Sequence, residues 1–132
     1  MKKVRIVPSF LSDDWLEDLR RLGKELPKVK GASISCQHEI SETPEGKIRF
    51  YAIWEDGVLS EADTGKMDNP DCILQAKYED ALDILHGRNK AEAAFMQGDL
   101  KVDGNYKKLL VDLHEWRGSV EYRKLWEDLR PS

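Results

Sequence analysis

Near Gly31 the hydrophobic period of the chain changes, and that change limits the architectures open to it. Before this point Trp15, Leu19, Leu22 and Leu26 recur at helical spacing. Ser12 stands as N-cap, Asp13 and Asp14 occupy the first turn, and Pro27 ends the run. From Gly31 onward Ala32, Ile34, Cys36 and His38 alternate with Ser33, Ser35, Gln37 and Glu39. A two-residue period places the first set on one face of a strand and the second on the other. Thr43-Pro44-Glu45-Gly46 makes a turn, after which Ile48, Phe50, Ala52 and Trp54 alternate with Arg49, Tyr51 and Ile53. The segment therefore reads as an amphipathic helix followed by a β-hairpin with one buried face.

Asp56-Gly57 marks a second turn, and the polar run from Val58 to Met67 fits an edge strand with a loop after it. Asn69-Pro70 breaks the chain before Cys72, Leu74 and Ala76, a fourth strand expected beside the third. Helical spacing returns with Leu82 and Leu85, closed by Gly87, and again over about 90–97, closed by Gly98. Leu100 and Val102 form a brief fifth strand. Tyr106, Leu109, Leu110 and Leu113 then line one helix, Gly118 breaks it, and Tyr122, Leu125, Trp126 and Leu129 define a last helix at about 118–130. Strands and helices are segregated rather than alternating, so the expected class is α+β, a mostly antiparallel sheet with helices over one face. The 132 residues make one domain, 1–132.

Several function classes fall away on composition. Lysine and arginine total 21 against 25 acids, a formal charge of −4, which disfavours a general nucleic-acid surface. No apolar run is long enough to span a bilayer, the start MKKVRIVPSFLSDDW has acids where a leader needs apolar residues, and a cytoplasmic location is the default. Stable membrane insertion is not expected either, since no strongly basic amphipathic helix is present. Cys36 and Cys72 are the only cysteines and are expected as reduced, buried thiols. His38, His86 and His114 have no pair at zinc-ligand spacing and are expected at surfaces or helix ends, so no metal site follows. The glycines of GDLKVDG lack the spacing of a phosphate cradle, and the carboxylates sit on solvated helix sides, which leaves no catalytic residue and no cofactor to assign.

One stretch is more specific. Pro70-Asp71-Cys72-Ile73-Leu74, then Leu82, Leu85 and Gly87, then Ala94-Phe95-Met96-Gln97-Gly98-Asp99-Leu100-Lys101-Val102-Asp103-Gly104-Asn105 keep a fixed order and spacing. Over about Val58 to Leu113 the chain resembles the sterol-carrier-protein family of nonspecific lipid-transfer domains, whose signature reads A-F-x-Q-G-K-L-K-I-x-G-N. The resemblance implies a twisted five-stranded sheet covered by helices around an apolar tunnel that holds a fatty acid, an acyl chain or a sterol-like lipid. It implies no cofactor and no chemistry. Phe95, Met96 and Gln97 would stand on the tunnel wall with Leu100 and Val102 on the adjoining strand, and Leu82, Leu109 and Leu113 complete the expected lining. Physically, the Gln97 amide either satisfies itself on backbone or orients a ligand headgroup, and Met96 is either a pliable wall or core filler.

Two departures matter. Asn105 to Leu113 is amphipathic where the family's helix is strongly apolar, and a tryptophan-bearing helix follows Arg117. That helix is a lid, a contact for a second copy or a partner enzyme, or one more packed helix. The terminal Arg-Pro-Ser is no peroxisomal signal. Beside a carrier of small apolar ligands stand two alternatives: an interaction or regulatory domain with a filled tunnel, partnering a lipid-metabolising enzyme, and an enzyme built on His38, His86 or His114.

Overall fold

In the computed structural model, which describes residues 7–131, the Ser12 hydroxyl accepts from Trp15 N at 3.2 Å and so starts α1 (Asp13–Lys24). The first six residues, part of the stretch read for a leader, and Ser132 of the terminal tripeptide lie outside the described residues. Trp15, Leu16 and Leu19 are buried on one face of α1, as their spacing requires. The hairpin β1 (Ile34–Thr43) and β2 (Gly46–Glu55) pairs Ile34 with Trp54, Cys36 with Ala52 and His38 with Phe50. The alternating positions thus meet across the ladder on one buried face. β3 (Val58–Thr64) adds antiparallel to β2 and forms the edge expected of it.

The fourth strand is not beside the third. β4 (Cys72–Lys77) runs parallel to β1, and β5 (Leu100–Gly104) pairs antiparallel with β4, giving the order β3-β2-β1-β4-β5. The connection over 65–71 crosses the face of the sheet opposite the core, and side chains of β1 hold it there. Gln37 Nε2 donates to Gly65 O at 2.9 Å and to Phe50 O at 3.0 Å, while its Oε1 accepts from Met67 N at 2.8 Å. Ser35 N donates to Asp71 Oδ2 at 2.9 Å and Asp71 N to the Ser35 hydroxyl at 2.8 Å. Both ends of the Gln37 amide are used in this way, which explains why a polar residue is buried at the centre of β1.

Helices cover the other face. α1 lies over β3, α2 (Tyr78–Leu85) over β1 and β4, and α3 (Ala91–Gln97) over β5. Gly98, left-handed at φ 85°, ends α3 as expected. The expected helix through Tyr106 and Leu113 is instead a π-helical turn, Lys108–Asp112, followed by the short α4 (His114–Arg117). Its wider winding, with Leu113 N bonded to Lys108 O at 3.0 Å, turns Leu109, Leu110 and Leu113 all inward and leaves Val111 outside. The final helix, α5 (Val120–Asp128), packs on α1 and α4, with Leu125 and Leu129 fully inside and Trp15 Nε1 donating to Leu129 O at 2.9 Å. Cys36 and Cys72 are free, buried and side by side in the parallel ladder.

Candidate functional site

Aromatic rings run in series through the layer between sheet and helices. Trp54 meets Trp116 and Tyr122 edge-on at 5.4 and 5.7 Å, Tyr122 meets Trp126 at 6.0 Å, and Trp126 meets Trp15 at 6.4 Å. Trp15 then contacts Phe50 at 5.8 Å and Phe10 at 5.0 Å, and Phe10 stacks on Tyr78 at 5.9 Å. This packing fills the end of the interior beside Trp54. Toward the opposite end the filling stops: Ile48, Leu74 and Ala76 face inward by register, yet all three are only half-buried. Across from them Tyr78, Ala81, Leu82 and Ile84 of α2 and Phe95 of α3 are half-buried as well. Apolar side chains that point inward on the middle strands thus keep accessible surface at this end of the layer. Between the β1–β2 turn and the start of α2 opens a cleft of about 710 Å³ whose walls are largely polar, with Glu42, Lys77, Glu79, Asp80 and Asp99 around Tyr78.

The expected lining residues divide by position. Leu82 and Phe95 are half-buried, and Leu100, Val102, Leu109 and Leu113 are buried in the core. Met96 is 83% exposed and Gln97 is exposed, with Gln97 Oε1 accepting from Asn89 Nδ2 at 3.3 Å. The reason is rotation: Ala94 is the residue of α3 that points at the sheet, and the next residues turn away by about 100° each. Phe95 stacks on Tyr106 at 5.9 Å instead of entering deeply.

His38 departs from the expectation of a surface or helix-end position. It stands on the inner face with its ring parallel to Phe50 at 4.4 Å, and burial lowers its pKa to about 4. His86 caps α2 and His114 is exposed at the start of α4. Burial, reinforced by Cys72, pushes the Cys36 thiol up to about 12, so it carries no thiolate near neutrality. Among the described residues no group of histidine, cysteine and carboxylate side chains converges to hold a metal. None of their helices is long and apolar enough to cross a membrane.

One charged pair enters the interior. Arg117, at the end of α4, has only 14% of its side chain exposed and bonds Glu92 Oε1 of α3 at 2.6 Å. Burial is the largest single influence on Glu92 and opposes its ionisation, but the Arg117 hydrogen bond and charge together with a backbone hydrogen bond outweigh it, and its pKa is lowered. The Tyr122 hydroxyl lies beside the same guanidinium, its pKa raised chiefly by burial. Neither Arg117 nor Tyr122 has a local sequence signal beyond its place on an amphipathic run.

The model of the SCP-2 sterol transfer family matches residues 16–111. The chain belongs to that family. SCP-2 domains in general bind and transfer sterols and other lipids. The crystal structure of sterol carrier protein 2 superposes with a TM-score of 0.68 at 15% identity, covering 92% of this chain and 98% of that one. A conserved hypothetical protein from Thermus thermophilus, described as possibly a sterol carrier protein, gives 0.68 at 13% identity over 100% of this chain and 97% of its own. Palmitated sterol carrier protein 2 like 2 from Aedes aegypti gives 0.59 at 21% identity over 80% and 92%. At these identities the likeness is one of fold. No curated protein sequence matches the chain. The SCP-2 match ends before α4, so the helices that carry Trp116, Arg117, Tyr122 and Trp126 lie beyond it.

Proposed function

We propose that this protein binds, and passes on, a lipid with a long alkyl chain, held in the groove between the inner face of β1, β2 and β4 and the helices α2 and α3. The observation that carries this reading is the half-buried state of Ile48, Leu74 and Ala76, which a solid core would have closed. Family membership points the same way. Leu82 and Phe95 would touch the chain directly, while Leu100, Val102, Leu109 and Leu113 back the wall. Met96 and Gln97, outside the groove, would act at most at its rim.

Affinity would come from removing methylenes from water, about 0.8 kcal/mol each. A dozen give roughly 10 kcal/mol before association and ordering costs, which leaves binding near the micromolar range. The aromatic series occupies the far end of the interior, so a flexible chain suits the remaining space better than a rigid ring system. The same series favours a second reading, an interaction domain whose interior is closed by its own side chains and which serves a lipid-metabolising enzyme.

Titration of delipidated protein with a fluorescent fatty acid separates the two. Saturable, displaceable binding that is lost in Ala76→Trp, with the fold intact by circular dichroism, is the expected result. Absence of any displaceable probe and of co-purified lipid in native mass spectrometry favours the closed domain.

A further inference from the structure

A strand at the edge of a sheet offers unpaired N–H and C=O groups to any chain that can match them, and the two edges of this sheet are finished differently. β3 closes its own. Arg20 Nε donates to Ala62 O at 2.6 Å, and a second copy laid antiparallel about Ala62 would set Glu61 against Asp63, acid facing acid. β5 is built the other way. Asn105 N donates to Asp71 O at 2.8 Å, so by alternation Lys101 and Asp103 turn their backbone groups toward β4, and Leu100 and Val102 turn theirs outward. Among the described residues no strand lies on that outer side. The side chains of Leu100 and Val102 are buried, whereas Lys101 and Asp103 are exposed, and among the described residues neither has an ion-pair partner. Met96, 83% exposed, and Tyr106, 53% exposed, bracket the strand.

We propose that β5 is the surface through which two copies of this chain pair, antiparallel and two-fold symmetric about Val102, into one ten-stranded sheet. Val102 exchanges its N–H and C=O with Val102 of the second copy, and Leu100 lies opposite Gly104. Lys101 then faces the second copy's Asp103, and Asp103 its Lys101, at non-hydrogen-bonded positions where side chains approach most closely. The same register brings Tyr106 of each copy to the end of the joint where the other's Met96 stands, covering apolar surface that a single copy leaves in water. A lysine on a short edge strand ordinarily repels strand addition. Here it admits a strand with an acid at the matching position, and β5 itself carries that acid. So short a joint lies at the small end of the interface range, which makes the dimer reversible, with a Kd on the order of 10–100 µM. The pairing goes beyond the carrier reading and does not rest on it.

Sedimentation velocity of the full chain, over concentrations reaching roughly ten-fold either side of that Kd, should show monomer giving way to dimer. Lys101→Asp and Asp103→Lys change exposed side chains, and each should weaken pairing by about ten-fold by setting like charges face to face. An equimolar mixture of the two single variants should regain pairing, because each lysine of one then faces an acid of the other; a loss of fold cannot produce that rescue. Hydrogen exchange supplies the backbone readout. The Val102 N–H should exchange quickly in dilute protein and slow as the dimer forms, while those of Lys101 and Asp103, bonded to β4, stay protected throughout. A monomer at every concentration, a mixture that fails to regain pairing, or a dimer that leaves Val102 exchange unchanged each overturns the proposal.

Discussion

His38 carries a pH dependence that can be written down from its surroundings. Its folded pKa, about 4, lies below the ordinary 6.5 because burial beside Phe50 disfavours the imidazolium. Between those values the unfolded chain binds the extra proton and the folded one does not, so stability falls as pH drops through that window and levels off below it. The loss is on the order of 2–3 kcal/mol. Urea midpoints measured from about pH 7 to pH 4 should slope accordingly, and His38→Phe should flatten the slope by that amount. At Gln37 the issue is satisfaction. Gln37→Leu strands Gly65 O and Met67 N under the strap, and we expect a loss of about 2–4 kcal/mol with faster hydrogen exchange at residues 65–71. Alternation places Gln37 on the solvent side of the strand, and nothing local distinguishes a solvated glutamine from one clamped beneath a crossing loop.

At the level of elements, the approach of α1 to β3 depends on a missing side chain. A Cβ at Gly23 would lie 2.6 Å from Leu59 Cβ, with Leu59 itself 1% exposed. Helix propensity alone favours Gly23→Ala by about 1 kcal/mol. Overpacking opposes it, and we expect a net loss of about 1–3 kcal/mol in denaturant midpoints; a rise in stability would show that α1 can shift outward freely. α2 and α3 were legible because their glycines stop them where the chain must turn. The inner and outer faces of α3 were not, since seven residues with alanines at three positions define no single stripe. The π-helical turn was also hidden. Tyr106, Leu109, Leu110 and Leu113 fit a regular helix equally well, and only the need to bury Leu109, Leu110 and Leu113 together widens the winding.

For the whole molecule, α5 is a structural member and not an appendage. It supplies Leu125, Leu129, Tyr122 and Trp126 to the interior, and Arg130 Nε donates to Leu85 O at 2.7 Å, tying the chain end to α2. Removal of residues 119–132 exposes this apolar surface and leaves Trp15 Nε1 without its acceptor. We expect no cooperative thermal transition in that truncation by near-ultraviolet circular dichroism, and a sharp one in the full chain.

By itself the sequence determined the period of each segment, and with it the element order, the buried face of the hairpin and the α+β class, because side-chain spacing follows from backbone geometry alone. It also carried the motif that marks the family. The tertiary structure decided what spacing cannot contain: that β4 joins β1 in parallel across a strap pinned by Gln37, that His38 stacks on Phe50, and that Arg117 meets Glu92 and Tyr122 inside. Those arrangements join residues far apart in the chain, and their energies come from desolvation and pairing that exist only once the layers have closed.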